Sequence, residues 1–287
     1  MNNCLCPTRR IRRKPRRIEF FQGTLDSTSE IEDARIFDTT LRDGEQTPRT
    51  SFSYEDKREI AALLDEMGTH VIEAGFPVNS DAEFEAVRDI ANASSTEVCG
   101  LARVVDEDIE AALDAGVDMV HTFVSTSDVQ LEDSMHATRE QAKQRAVESV
   151  ERVKDAGVEC MFSPMDATRT DEAFLLDVVQ ATSEAGADWI NIPDTTGVAT
   201  PTRMGKMVAK VVDATVEGTR VDVHTHDDFG LAGANALAGF ENGASQAQVS
   251  VNGIGERAGN AAYEEVVMSL RSLYDVDMGI DTTKITE

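Results

Sequence analysis

Two histidines separated by a single residue, His224-Thr225-His226, run directly into Asp227 and Asp228. On a β-strand, whose side chains alternate between faces, this spacing turns both imidazoles the same way. Two neutral imidazoles on one face make half of a metal site, with the remaining ligands drawn from other segments. The competing reading is a hydrogen-bonded pair in a polar rim. Because the chain has only five histidines, two of them paired at one strand end favour the metal. Two further clusters carry groups able to join them: Arg42-Asp43-Gly44-Glu45-Gln46 and Asn252-Gly253-Ile254-Gly255-Glu256-Arg257-Ala258-Gly259-Asn260. The glycine-rich one lacks phosphate-loop spacing and, alone, reads equally well as a tight strand-to-helix turn.

The elements that must position these groups recur regularly. Eight β-rich runs, at 34–40, 70–75, 97–103, 118–125, 159–166, 189–195, 221–226 and 248–253, alternate with helical stretches beginning near Ser53, Asp81, Asp106, Thr138, Asp171, Pro201, Leu231 and Ala258. Several helices open on a cap or on Pro, as Ser53, Thr138 and Thr200-Pro201 do. Ala-Gly pairs at Gly116, Gly157 and Gly186 fall where a helix must turn into the next strand. Eight strands, each followed by a helix, predict an α/β fold of the (β/α)8 barrel type over residues 34–275, and such a barrel typically needs about 250 residues. An open doubly wound sheet would carry a glycine-rich phosphate loop after its first strand, and Asp38-Thr-Thr-Leu-Arg-Asp-Gly is not one.

In a closed barrel the eighth strand lies between the seventh and the first. Asp43, His224, His226 and Asn260 can therefore meet at the ends of three neighbouring strands. A mixed set of nitrogen and oxygen ligands suits a catalytic divalent cation such as Mg, Mn or Zn rather than a closed structural site.

Composition narrows the setting. Of 287 residues, 41% are hydrophobic and 28% charged, enough for a full core. The net charge is −26, from 53 acidic and 27 basic residues, which opposes nonspecific nucleic-acid binding and suits a halophilic, acidic proteome. Residues 1–17 invert the pattern with seven basic and no acidic residues. Residues 1–33 read as a basic, then acidic, partly disordered extension. No apolar run is long enough to span a membrane. The four cysteines form no framework, so a reduced, cytoplasmic protein is expected.

Three motifs in this order, Asp38-Thr-Thr-Leu-Arg-Asp-Gly-Glu-Gln, His-x-His-Asp-Asp and Asn-Gly-Ile-Gly-Glu-Arg-Ala-Gly-Asn, give the chain a specific resemblance. From about Arg35 to Leu273 it resembles the 2-isopropylmalate, citramalate and homocitrate synthases, metal-dependent acyltransferases that condense acetyl-CoA with a 2-oxo acid. The resemblance implies the metal ligands Asp43, His224 and His226, with Asn260 ligating or adjacent. It implies that Arg42 polarises the 2-oxo acid carbonyl, that Thr195 and Ser163 contact the substrate, and that Gln46 and Glu73 line the same pocket. It also implies a homodimer. Asp rather than Glu at position 43 tilts the expectation toward isopropylmalate, and hence leucine biosynthesis, or citramalate.

Two features depart from that family. Its strand-5 pattern Phe-Ser-x-Glu-Asp is Phe162-Ser163-Pro164-Met165-Asp166 here, so either Asp166 or water is expected to take over the missing carboxylate's task, or the chemistry has changed. The sequence also stops at Glu287, so residues 276–287 read as the stub of a further subdomain, with no end-product feedback expected. A 3-hydroxy-3-methylglutaryl-CoA lyase shares the Arg-Asp-Gly and His-x-His arrangement but needs a cysteine beyond strand 8, and none follows Cys160. A biotin-dependent carboxyltransferase barrel and a catalytically incomplete metal-binding barrel are the remaining alternatives.

Overall fold

The computed structural model describes residue 31 and residues 34–286. The basic tail expected at 1–17 lies outside them. Eight parallel strands, β1 (Arg35–Asp38), β2 (Val71–Gly75), β3 (Glu97–Arg103), β4 (Met119–Ser125), β5 (Glu159–Met165), β6 (Trp189–Asp194), β7 (Arg220–Thr225) and β8 (Gln246–Val249), form a closed barrel in sequence order. Closure is made by β8 on β1, from Arg35 opposite Gln246 to Asp38 opposite Val249. The (β/α)8 expectation therefore holds.

Eight main helices cover the barrel: α1 (Tyr54–Met67), α2 (Asp81–Ala93), α3 (Asp106–Asp114), α4 (Arg139–Asp155), α5 (Glu172–Glu184), α6 (Pro201–Ala214), α7 (Ala232–Phe240) and α8 (Tyr263–Leu273). Local chemistry sets their ends. Ser53 with Asp56, and Thr138 with Gln141, close reciprocal capping boxes on α1 and α4. The glycines of the Ala-Gly pairs take positive φ, 76° at Gly116 and Gly157 and 105° at Gly186, so the chain can leave each helix and enter the next strand.

Strand alternation divides the core in two. Ile36, Ile72, Val98, Val120, Cys160, Phe162 and Ile190 face outward against the helices. Their neighbours Phe37, Val71, Cys99, Met119, Met161 and Trp189 face inward and pack on one another as an apolar plug. Polar side chains gather toward the strands' C-terminal ends, where loops replace the ladder.

Two boundaries differ from expectation. Strand 8 was expected at 248–253, yet the ladder occupies Gln246–Val249, and Val251–Gly253 is a 3-10 turn with Asn252 at φ 58°. The last helix was expected near Ala258 and begins at Tyr263. Val251 and Ile254 look like strand residues, but left-handed backbone at Asn252 and Gly253 ends the strand early and frees 252–262 to fold over the barrel mouth. A short helical segment, Asp128–Gln130 running into a π-turn at Leu131–Met135, also borders the mouth and was not foreseen.

Beyond α8 the chain turns back along α1. The Asp281 amide donates to the Met67 carbonyl at 2.9 Å, Lys284 pairs with Glu66, and Val276, Met278, Ile280 and Ile285 pack on the core. No helix among the described residues is long and apolar enough to cross a membrane.

Candidate metal and substrate site

Three strand ends deliver one cluster. Asp43 follows β1, while His224 and His226 straddle the end of β7, and one potential ligand atom from each lies within 4.8 Å of the others. The Asp43 Oδ2 atom is 3.7 Å from His224 Nε2 and 4.0 Å from His226 Nε2, and all three residues are buried. Asn260 joins them from the loop after β8. Its Nδ2 donates to Asp43 Oδ1 at 2.9 Å and to the Ile254 carbonyl at 3.0 Å, while its buried Oδ1 has no partner. The Glu256 amide also donates to Asp43 Oδ1, at 3.1 Å.

The electrostatics suit a cation. Burial, and then the neighbouring His226, push the His224 imidazole down to about 3, so it is neutral with a lone pair to offer. Burial alone would raise the Asp43 carboxyl, but Arg42 and the two histidines together hold it well below the usual carboxylate range. His226 Nδ1 lies 3.3 Å from the Gly259 carbonyl, which can only accept, so that nitrogen carries the hydrogen and Nε2 is left as a ligand.

Beside this cluster runs a continuous buried polar chain. Arg42 donates through Nε to Glu73 Oε2 at 2.7 Å and through a terminal nitrogen to Asp43 Oδ2 at 2.8 Å. Thr39 Oγ1 donates to the same Glu73 oxygen at 2.6 Å, and His121 Nδ1 lies 2.8 Å from Oε1. His121 Nε2 then meets Ser163 Oγ at 2.6 Å, and Asn191 Nδ2 donates to that hydroxyl at 2.7 Å. Burial would raise Glu73, yet Arg42 and His121 bring it down to about 2, so the carboxylate stays ionised. Glu73 therefore sits behind Arg42, fully buried, and does not line the pocket as expected. Arg42 turns it inward, because an unpaired carboxylate could not be buried there.

The cavity itself measures about 240 Å³ and opens at the strands' C-terminal ends. Arg42, Asp43, Gln46, Ser163, Thr195, His224 and His226 line it, as expected from sequence. His121, Asn191, Gln248 and Glu256 also line it, together with an apolar wall of Phe76, Leu101, Phe123, Pro193 and Met165. His121 was the residue missed. Its period-2 position in strand 4 was visible, but its height in the barrel was not. Asp166 does not replace the missing carboxylate. It is fully buried at φ 69°, with Ser127 donating to it at 2.5 Å and Arg169 at 2.6 Å, one position past Met165. Asp166 lies just past the end of β5 in left-handed backbone, and Ser127 and Arg169 hold its carboxylate there. Thr195 Oγ1 accepts from the Asp166 amide at 2.9 Å and stays at the cavity wall. Above the mouth, Arg257 binds the Asp228 carboxylate and the Thr195 carbonyl, fastening the loops after β6, β7 and β8 together.

This geometry has close relatives. The model of the HMGL-like family matches residues 33–287. The chain belongs to the HMGL-like family. Among curated proteins, a probable 2-isopropylmalate synthase of Methanopyrus kandleri is 56% identical over 254 residues, covering 88% of this chain and 50% of that protein. The 2-isopropylmalate synthase of Sulfolobus acidocaldarius is 49% identical over 255 residues, covering 88% of this chain and 66% of that protein. This HMGL-like chain thus spans about half the length of the first of these relatives. Among solved structures, the HMG-CoA lyase of Brucella melitensis superposes with a TM-score of 0.78 at 22% identity, covering 88% of this chain and 95% of that one. The carboxyl transferase domain of Rhizobium etli pyruvate carboxylase superposes with a TM-score of 0.72 at 19% identity, covering 88% and 45%. These structural likenesses establish the shared barrel.

Proposed function

We propose that this barrel condenses acetyl-CoA with a 2-oxo acid in the manner of a 2-isopropylmalate synthase. The observation that carries the reading is the convergence of Asp43, His224 and His226 beside Arg42 at the floor of one cavity. The residues fit a divalent ion, since two imidazole nitrogens and one carboxylate oxygen gather within 4.8 Å beside the buried, unpartnered Asn260 Oδ1. Asp43, His224 and His226, with Asn260, would hold Mg, Mn or Zn, and such an ion would supply Lewis acidity to the substrate carbonyl.

The chain's own residues account for the rest of the binding. Arg42, anchored by Glu73 and Asp43, places fixed positive charge where negative charge develops on the carbonyl oxygen. Thr195 and Ser163 offer hydroxyls to the 2-oxo acid, and Gln46 borders the mouth. The wall of Leu101, Phe123, Pro193 and Met165 favours an oxo acid whose side chain is branched and apolar over one carrying a second carboxylate. The relatives at 49–56% identity that bear the name 2-isopropylmalate synthase support the same choice.

The test is thiol release from acetyl-CoA in the presence of a divalent metal and a panel of 2-oxo acids. Release should be fastest with the branched apolar acid. No acceleration by any member of the panel, with metal bound, would sink the proposal.

A further inference from the structure

Condensation of acetyl-CoA requires a base for the acetyl methyl group, and the carboxylate expected at position 165 is methionine. The pocket nevertheless holds an acid–base chain of its own. Glu73 is ionised, so it can only accept, and His121 Nδ1 at 2.8 Å must be the donor. A neutral imidazole with its hydrogen on Nδ1 has its lone pair on Nε2, and among the described residues its partner there is Ser163 Oγ at 2.6 Å. In that neutral state the Ser163 hydroxyl donates to His121. Asn191 Nδ2 donates to the same oxygen at 2.7 Å and occupies one of its lone pairs. The other lone pair is left for the cavity that Ser163 lines. Glu73, His121 and Ser163 are all at least 96% buried, so bulk water does not compete for these bonds.

We propose that Ser163, His121 and Glu73 form a proton relay that serves as the base for the acetyl methyl group, an inference that rests on the condensation reading above. Ser163 is the catalytic residue, and His121 and Glu73 position it and drive it. The C–H bond breaks, its electron pair stays on the substrate as the enolate, and the proton goes to Ser163 Oγ. At the same time the Ser163 hydroxyl proton moves to His121 Nε2, giving an imidazolium held against the Glu73 carboxylate. Once the carbon–carbon bond has formed, the proton returns through Ser163 to the new hydroxyl oxygen, which resets the relay. The serine oxygen needs this coupling because a free hydroxyl is far too weak a base. Charged groups facing His121 are Glu73 from β2 and, behind it, Arg42. The Cys99 thiol on β3 stays neutral, because burial and Glu73 raise it, and the Phe37 ring closes the remaining side edge-on at 6.3 Å.

The test uses the full chain with Mn, acetyl-CoA and a 2-oxo acid, and reads three quantities. These are thiol release, deuterium uptake from heavy water into the acetyl methyl group, and oxo-acid affinity by calorimetry. Ser163→Ala and His121→Asn should each lower release and deuterium uptake by roughly 10²–10⁴-fold, the usual worth of general base catalysis. Circular dichroism should change little in either variant, and oxo-acid affinity should change little in His121→Asn. The pH profile of deuterium uptake should change shape between the wild type and His121→Asn. Met165→Glu placed in the Ser163→Ala background should recover part of the rate by restoring a carboxylate base. Unchanged uptake and an unchanged pH profile in both single variants would overturn the relay, as would a loss confined to Glu256→Gln, a further carboxylate at the mouth. Oxo-acid binding without any uptake by the wild type would also overturn the relay while leaving the substrate assignment standing. Absence of oxo-acid binding with metal present would overturn the condensation reading itself.

Discussion

His224 Nε2 and His226 Nε2 stand 3.1 Å apart, their rings 82° from parallel. With His226 Nδ1 committed to the Gly259 carbonyl, two lone pairs aim at one point that also faces Asp43. A divalent cation would use that arrangement as its ligands.

Removing one of these ligands should therefore cost metal. His226→Ala is expected to weaken divalent-metal affinity by at least about tenfold, and to abolish the rise in melting temperature that added metal produces. Equilibrium dialysis with elemental analysis reads this directly, and undiminished occupancy would refute the ligand assignment.

Arg42→Lys keeps the charge and loses the fork. The guanidinium binds Glu73 through Nε and Asp43 through a terminal nitrogen, an arrangement that one ammonium cannot reproduce. Thiol release should fall by about 10²-fold or more, in line with loss of a preorganised charge-stabilising donor. A turnover number equal to wild type would remove Arg42 from the mechanism.

Gly259 links backbone strain to the metal site. Its φ of 101° is closed to most side chains, and a Cβ there would lie 2.0 Å from the Gly253 carbonyl oxygen. Its own carbonyl holds both His226 and the Asp227 amide. Gly259→Ala should destabilise the protein by roughly 1–3 kcal/mol and weaken metal binding at the same time. Thermal unfolding and a metal titration that both match wild type would contradict this.

Asp38 gives a stability that depends on pH. Burial, only partly offset by the Thr40 amide and hydroxyl, raises its carboxyl to about 7. Between its unfolded value near 4 and about pH 7, the folded state keeps a proton that the unfolded chain has lost, so stability falls as pH rises through that window. Asp38→Asn removes the titration and keeps an acceptor for Thr40. Urea unfolding at about pH 5 and about pH 8 should show a smaller drop in the variant than in wild type. Equal drops would assign the slope to other groups.

How much of this was legible beforehand follows from the range of each interaction. The period-2 spacing of His224 and His226, the capping residues Ser53 and Thr138, and the Ala-Gly turns are local signals, and each does in the structure what its spacing implied. The count of eight strand–helix units was enough to close the barrel, and closure brought Asp43 next to residues more than 180 positions away. Strand 8 escaped, because Val251 and Ile254 look like strand residues to any local reading, and only the ladder against β1 and β7 shows where pairing stops.

Sequence by itself determined the fold class and pointed to Asp43, His224 and His226, which the structure brings together, since both depend on hydrophobic period and on motifs sitting at strand ends. Tertiary structure alone decided which carboxylates face the cavity. Glu73 seemed available to the pocket and was drawn beneath Arg42, while Asp166 seemed a substitute for the missing acid and was turned outward onto Arg169. It also placed His121 between Glu73 and Ser163, a contact among three strands. The reason is physical. A buried charge takes the partner that best offsets its desolvation, and which partners stand at the same height across a barrel is set by the stagger of its strands, a property of the closed sheet and of no single segment.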